Sequence, residues 1–217
     1  MDSRGVKNAF SIHLLAVILL AIGLYFRMRG LWFLSFDTRH FLMPWYSQLA
    51  AQGFSAFQFE FSNYTPPYLY LLWLATLTRD FLPEVAAIKL IPILFDIGAA
   101  IWIYKILRVE YPEGRVPLLG AATFFLLPTI ILDGAWWGQC DSIFTSFALG
   151  SFYFALRERP RAALILFGLA FAFKLQAVFL APFLLFLLLK RRIRWADGLL
   201  VPLVYVILIL PAVIAGR

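Results

Sequence analysis

Two carboxylates stand out in a chain that carries few charges. Asp37 follows the first long apolar run, and Asp141 closes the stretch Asp133-Gly134-Ala135-Trp136-Trp137-Gly138-Gln139-Cys140-Asp141. A carboxylate at the edge of a lipid-facing cavity is partly desolvated, which makes it a better proton acceptor and suits it to general-base work. Helix packing can bring the two into one pocket despite their distance in sequence. Each has a plainer role as well: Asp37 as a cap or turn residue, Asp141 as a cap on the helix that follows it. Taken singly, the plainer role carries more weight. Arg39 and His40, beside Asp37, are candidate contacts for a phosphate or a hydroxyl, and equally for lipid headgroups.

Between the two acids lies Phe61-Ser62-Asn63-Tyr64-Thr65-Pro66-Pro67-Tyr68, where aromatics alternate with hydrogen-bonding groups ahead of a rigid double proline. Asn63 and Tyr64 offer what a sugar needs, although tyrosine and tryptophan also collect at membrane interfaces because their rings are amphipathic. Trp136, Trp137 and Gln139 join them as substrate-binding candidates. Two adjacent tryptophans flanked by glycines are harder to explain as interface residues alone. Lys89, Asp96 and Lys174 lie inside apolar runs, where an ionisable group is costly and points to function or to a partner. Asp96 pairs with Lys174 in this reading, Lys89 snorkels to the interface, and Lys174 with Gln176 has the alternative of facing an anionic phosphate. With two histidines and one cysteine there is no metal-ligand spacing, and no nucleotide fingerprint occurs either. No cofactor is expected; a divalent metal is not indicated.

The elements that hold these residues must be helices in a membrane. Of 217 residues 63% are hydrophobic and 14% charged, against roughly 45–50% and about 25% in soluble domains. Apolar runs at residues 9–26, 66–82, 84–107, 116–132, 142–156, 162–189 and 199–215 approach the helix length that crosses a bilayer, and period-two alternation is absent. The fold class is all-α, a polytopic membrane helical bundle. The charge of +7 sits in short clusters between the runs, without a continuous basic face, so it signals topology and not nucleic acid.

The four basic clusters, at the N-terminus and at residues 108–115, 157–161 and 190–194, all fall on one side if run 66–82 does not cross and run 162–189 crosses twice, broken near Lys174 to Gln176. That makes about seven transmembrane helices. Residues 27–82 then form a large first external loop with interfacial helices, one starting at Pro44 and ending at Gly53, another capped by Thr65 before Pro66. A helix beginning at Asp37 has to kink at Pro44. The chain is one membrane module over 1–217, and its abrupt end at Gly216 and Arg217, with no polar tail, leads us to expect that the natural chain continues.

The order and placement of Ser35-Phe36-Asp37, Pro44-Trp45-Tyr46, Asn63-Tyr64-Thr65-Pro66-Pro67-Tyr68, Trp137-Gly138-Gln139-Cys140-Asp141 and Phe173-Lys174-Leu175-Gln176 resemble the GT-C superfamily of membrane glycosyltransferases. The resemblance is nearest to bacterial proteins related to the GPI mannosyltransferase II group. It implies a polyprenyl-phosphate-sugar donor, a glycan, lipid or protein acceptor, and a plasma-membrane site facing outward. It also implies that Asp37 is the catalytic base, that Asp141 is a second acidic residue of the catalytic site, and that additional helices belong C-terminal to this module. A transporter or flippase component, with Asp96 and Lys174 lining a passage, is the rival reading; a structural membrane partner is a third.

Overall fold

Apolar sequence in lipid must satisfy its backbone hydrogen bonds within each segment, and a helix does so. The computed structural model describes residues 3–112 and 115–217, with side chains from Ser11 onward, and contains no strand among them. The helices in chain order are α1 (Ser3–Gly30), α2 (Met43–Gln52), α3 (Pro66–Thr76), α4 (Glu84–Glu110), α5 (Val116–Leu126), α6 (Pro128–Ile131), α7 (Asp141–Leu156), α8 (Pro160–Phe173), α9 (Ala181–Leu189) and α10 (Leu200–Ala215).

Three stretches are long and apolar enough to cross a membrane: Ser11–Gly30 of α1, all of α4, and Trp195–Ala215, where a 3₁₀ turn leads into α10. A fourth is added if Val116–Leu126 and Pro128–Trp137 are one span, bent by 49°. Leu127 sits at that bend with extended backbone (φ −54°, ψ 125°) because the following proline disfavours a helical conformation. The other apolar helices, Pro160–Phe173 and Leu175–Leu189, are shorter.

α4 packs against both α5 and α7; α1 lies on α5, α8 on α7, and α10 on α8. In its most apolar window α4 is 56% buried but the last stretch only 6%, so α4 is the core helix and α10 presents its apolar surface outward. Contacts between helix ends sort the loops. Arg161 pairs with Asp197 and Arg192 with Glu158, which joins the loops after α7 and α9 and the start of α10 at one end. Lys105 of α4 lies over Trp102 and near Tyr153 of α7, so Arg108 belongs to that basic end too. The opposite end gathers the C-terminus of α1, α2, α3, and the starts of α4 and α7.

The expected breaks occur. α8 stops at Phe173, Lys174 is extended (φ −152°), and a 3₁₀ turn, Leu175–Leu180, precedes α9. Helical backbone does begin just before Asp37, and a π turn, Thr38–Leu42, takes up the kink ahead of Pro44: Met43 N–H reaches Thr38 O. Spreading the backbone there accommodates proline's missing N–H and its ring. Thr65 stands at the N-cap of α3, yet its hydroxyl donates to Phe173 O at 3.0 Å instead of capping the helix. At 11 residues, α3 is too short for a bilayer of about 30 Å.

Two interior charges differ from expectation. Asp96 is bound to Arg27, Nε to Oδ2 at 2.8 Å, and not to Lys174. Arg27 follows the first apolar run and reads as a flanking charge, but α1 continues past it to Gly30 and buries it completely. Lys89 does not snorkel. It is fully buried and donates to the carbonyls of Gly30 (2.9 Å), Phe33 (2.5 Å) and Trp136 (2.6 Å). These carbonyls lie at the end of α1 and of the π turn Leu132–Trp137, where helix partial charge is negative and carbonyls lack intrahelical partners. Gly30 makes the approach feasible: a Cβ there would stand 2.8 Å from Ala135 O.

Candidate functional site

The site is built where the segment after α1 docks on the loop before α7. Ser35 Oγ accepts the Thr38 N–H at 3.1 Å, a local turn bond that serine favours. The Ser35 and Thr38 hydroxyls both donate to Trp137 O, at 2.5 and 3.0 Å. Gly138 is left-handed (φ +88°), and a Cβ on it would come within 2.7 Å of Thr38 Oγ1. Glycine is therefore needed twice over, for its backbone and for its missing side chain.

This docking delivers two donors to Asp37. Trp137 Nε1 donates to Oδ2 at 2.9 Å, and Gln139 Nε2 donates to the same oxygen. Oδ1 accepts no hydrogen bond from the described residues. One oxygen is fixed and the other retains its lone pairs, as a proton acceptor requires. Tyr64 continues the chain of contacts, its hydroxyl donating to Gln139 Oε1 at 3.0 Å and its ring edge-on to Trp45 at 5.2 Å. Burial, reinforced by nearby Cys140 and Asp37, pushes the Tyr64 phenol well above its ordinary value, so it is a neutral donor at physiological pH. Burial also raises the Cys140 thiol, which is no nucleophile there.

Asp37, Phe41, Leu42, Trp45, Asn63, Tyr64 and Gln139 enclose a cavity of about 210 Å³. Its mixture of aromatic faces, amides and one half-buried carboxylate is chemistry suited to a polyol. Phe41 and Leu42 were not singled out from sequence, and Trp45 stood out only within the Pro44-Trp45-Tyr46 element, not as a residue lining a cavity. Asp37, Phe41 and Trp45 recur every fourth residue, the spacing of one helix face, but the proline between them obscures the pattern. Arg217 of the chain end holds this wall, Nη2 donating to Ser62 O (2.8 Å) and Tyr64 O (3.3 Å).

The remaining candidates divide. Asp141 does not share the Asp37 cavity. It lines a second one of about 230 Å³ with Asp96, Asp133 and Ser142, and its carboxylate is bound by Lys174. The extended backbone at Lys174 carries the ammonium from the end of α8 across to the start of α7. Trp136 faces α1, donating to Phe26 O at 3.1 Å and packing on Phe33. His40 stacks on Phe36 with its Nδ1 2.9 Å from Phe36 O. Arg39 and Gln176 are exposed. No group of three or more His, Cys, Asp or Glu among the described residues is arranged to hold a metal ion.

Fold and site together define an all-helical protein with helices of membrane-crossing length and a carboxylate-centred cavity at the end remote from its basic loops. Comparison with known proteins finds no matching family model, no matching curated protein and no matching solved structure.

Proposed function

We propose that this protein is a membrane glycosyltransferase of the GT-C kind that moves a sugar, a hexose such as mannose, from a polyprenyl-phosphate carrier to an acceptor hydroxyl with inversion. The observation that carries the proposal is the Asp37 carboxylate, half-buried in an aromatic and amide-lined cavity, with Trp137 and Gln139 on one oxygen and the other oxygen open. The acceptor O–H attacks the anomeric carbon as its proton passes to Asp37 Oδ1. A new C–O bond forms to the acceptor, the bond to the phosphate oxygen breaks, and the polyprenyl phosphate departs with the electron pair. A base opposite the leaving group is the geometry of inversion.

In this reading the chain crosses seven times, through α1, α4, the bent α5–α6 pair, α7, α8, the 3₁₀ turn with α9, and α10. α2 and α3 stay at the site end, in the first loop. The basic loops at the other end then face the cytoplasm and the cavity faces outward, at the plasma membrane. Asp141 and Lys174, as a pair beside the second cavity, are positioned to organise the α7–α8 end; Arg39, exposed and two residues along from Asp37, is a cation available to a departing phosphate. A transporter lined by Asp96 and Lys174 has less support, because each is already held by an opposite charge.

The test is transfer of labelled sugar from a panel of polyprenyl-phosphate donors in membranes containing the chain. Labelled product that disappears with Asp37→Asn supports the proposal. Ion or lipid movement without any covalent product sinks it.

A further inference from the structure

At the basic end, remote from Asp37, a cavity of about 700 Å³ opens where α7 and α9 finish and α8 begins. That volume is within the range of small-molecule sites, about 300–1,000 Å³. Three cations line it, Lys190, Arg191 and Arg192, against the single carboxylate of Glu158. Arg192 is committed to Glu158, in an exposed pair of the kind that contributes little. Lys190 and Arg191 have no carboxylate partner among the described residues; the Lys190 ammonium lies 5.7 Å from the Phe186 ring centroid. Below the cations the wall is apolar, with Leu156, Phe186 and Leu187.

The backbone gives a second, independent sign. Glu158 (φ +55°) and Arg191 (φ +58°) are the two non-glycine residues with left-handed backbone among the described residues, and both line this cavity. Each stands just past a helix end, closed by the same long bond: Arg159 N to Phe154 O and Arg192 N to Leu187 O, both 2.9 Å. This is the closure in which glycine is favoured at the left-handed position. Here it is occupied twice by a charged side chain at one cavity; left-handed backbone at non-glycine residues occurs at ligand clamps as well as at ordinary helix ends, and here the two positions coincide with the cavity wall.

We propose that this cavity binds an anionic phospholipid of the surrounding leaflet, its headgroup phosphate between Lys190 and Arg191 and its first methylenes against Phe186, Leu187 and Leu156. The occupant is a lipid and not a free anion because the wall is apolar and continuous with surface that faces outward: Phe186 is 53% and Leu189 68% exposed. Basic pockets between helices at the cytoplasmic side recognise acidic headgroups by this combination. The site rests on the membrane orientation proposed above, and not on any catalytic role for Asp37.

The experiment is native mass spectrometry of the whole purified chain in detergent, titrated with phosphatidylglycerol or phosphatidylcholine, with inorganic phosphate as competitor. The wild type should retain phosphatidylglycerol in preference to phosphatidylcholine. The double variant Lys190→Gln/Arg191→Gly should hold it about 30-fold less tightly, the loss expected for two cations beside an acidic headgroup. Arg191→Gly alone relieves the left-handed backbone and should leave the lipid-free protein at least as heat-stable, so weaker binding by it is not misfolding. Arg108→Gln, at the same end but outside the cavity, should bind as the wild type does. Equal retention of the two lipids, unchanged binding by the double variant, or an equal loss from Arg108→Gln overturns the proposal. So does displacement of the lipid by an equal concentration of inorganic phosphate.

Discussion

Removing the charge of Asp96 should destabilise the bundle severely, and removing both members of its ion pair should not. Arg27 and Asp96 have side chains 0% and 1% exposed, and their contact of 2.8 Å is supplemented by Ser142, whose hydroxyl donates to the other carboxylate oxygen. The guanidinium also donates to Gly23 O (3.1 Å) and Phe125 O (2.6 Å) and lies 3.7 Å over the Phe125 ring. Asp96→Asn keeps a partner for Ser142 but leaves a buried cation uncompensated, at a cost of about 3–5 kcal/mol. Taking both charges out of water is itself costly, so the intact pair recovers in attraction little more than it loses in desolvation. Arg27→Met together with Asp96→Asn should therefore recover most of the loss. The assay is unfolding by SDS titration in mixed micelles, comparing the two single variants with the double. A loss under about 1 kcal/mol for Asp96→Asn, or a double variant as damaged as the sum of the singles, refutes the reasoning.

Further outcomes follow from the same contacts. Lys89→Met should cost about 3 kcal/mol or more in the same titration, because three carbonyls at two helix ends lose a charged donor at once. Gly138→Ala should destabilise by about 1–3 kcal/mol and weaken any activity, since the left-handed backbone and the Thr38 contact both oppose a Cβ. The Tyr64 phenol is raised by burial, so above the ordinary tyrosine value of about 10 the unfolded chain holds fewer protons than the folded one. Stability should thus be intact below pH 10 and fall as pH rises beyond it, with a shallower fall in Tyr64→Phe; a pH series of unfolding midpoints checks this.

Much of the architecture was legible because lipid restricts the options. Apolar runs without alternation had to be helices, and the break at Lys174 was readable from polar residues inside a long run. The segments around Asp37, Tyr64 and Gln139 were readable as a set from residue type and placement at one end. Partner choice was not. Asp96 took Arg27 because α1 continues past the arginine and packs on α5, whose Phe125 covers it; a residue ending an apolar run looks like any flanking charge. Lys89 is satisfied by backbone carbonyls, which every residue carries and no sequence distinguishes. The separation of Asp141 from Asp37 depends on the few residues between Trp137 and Asp141, where a left-handed glycine turns Gln139 toward one cavity and leaves Asp141 to the other.

The most direct test of the central claim is the single-turnover rate of sugar transfer from a polyprenyl-phosphate donor by wild type, Asp37→Asn and Asp141→Asn, each checked for folding by SDS titration. A general base contributes about 10²–10⁴ in rate, so Asp37→Asn should lose at least about a hundredfold while remaining folded. Asp141→Asn should retain more activity, since its carboxylate lies outside the Asp37 cavity. A folded Asp37→Asn that transfers sugar within tenfold of the wild type contradicts the assignment of Asp37 as the base.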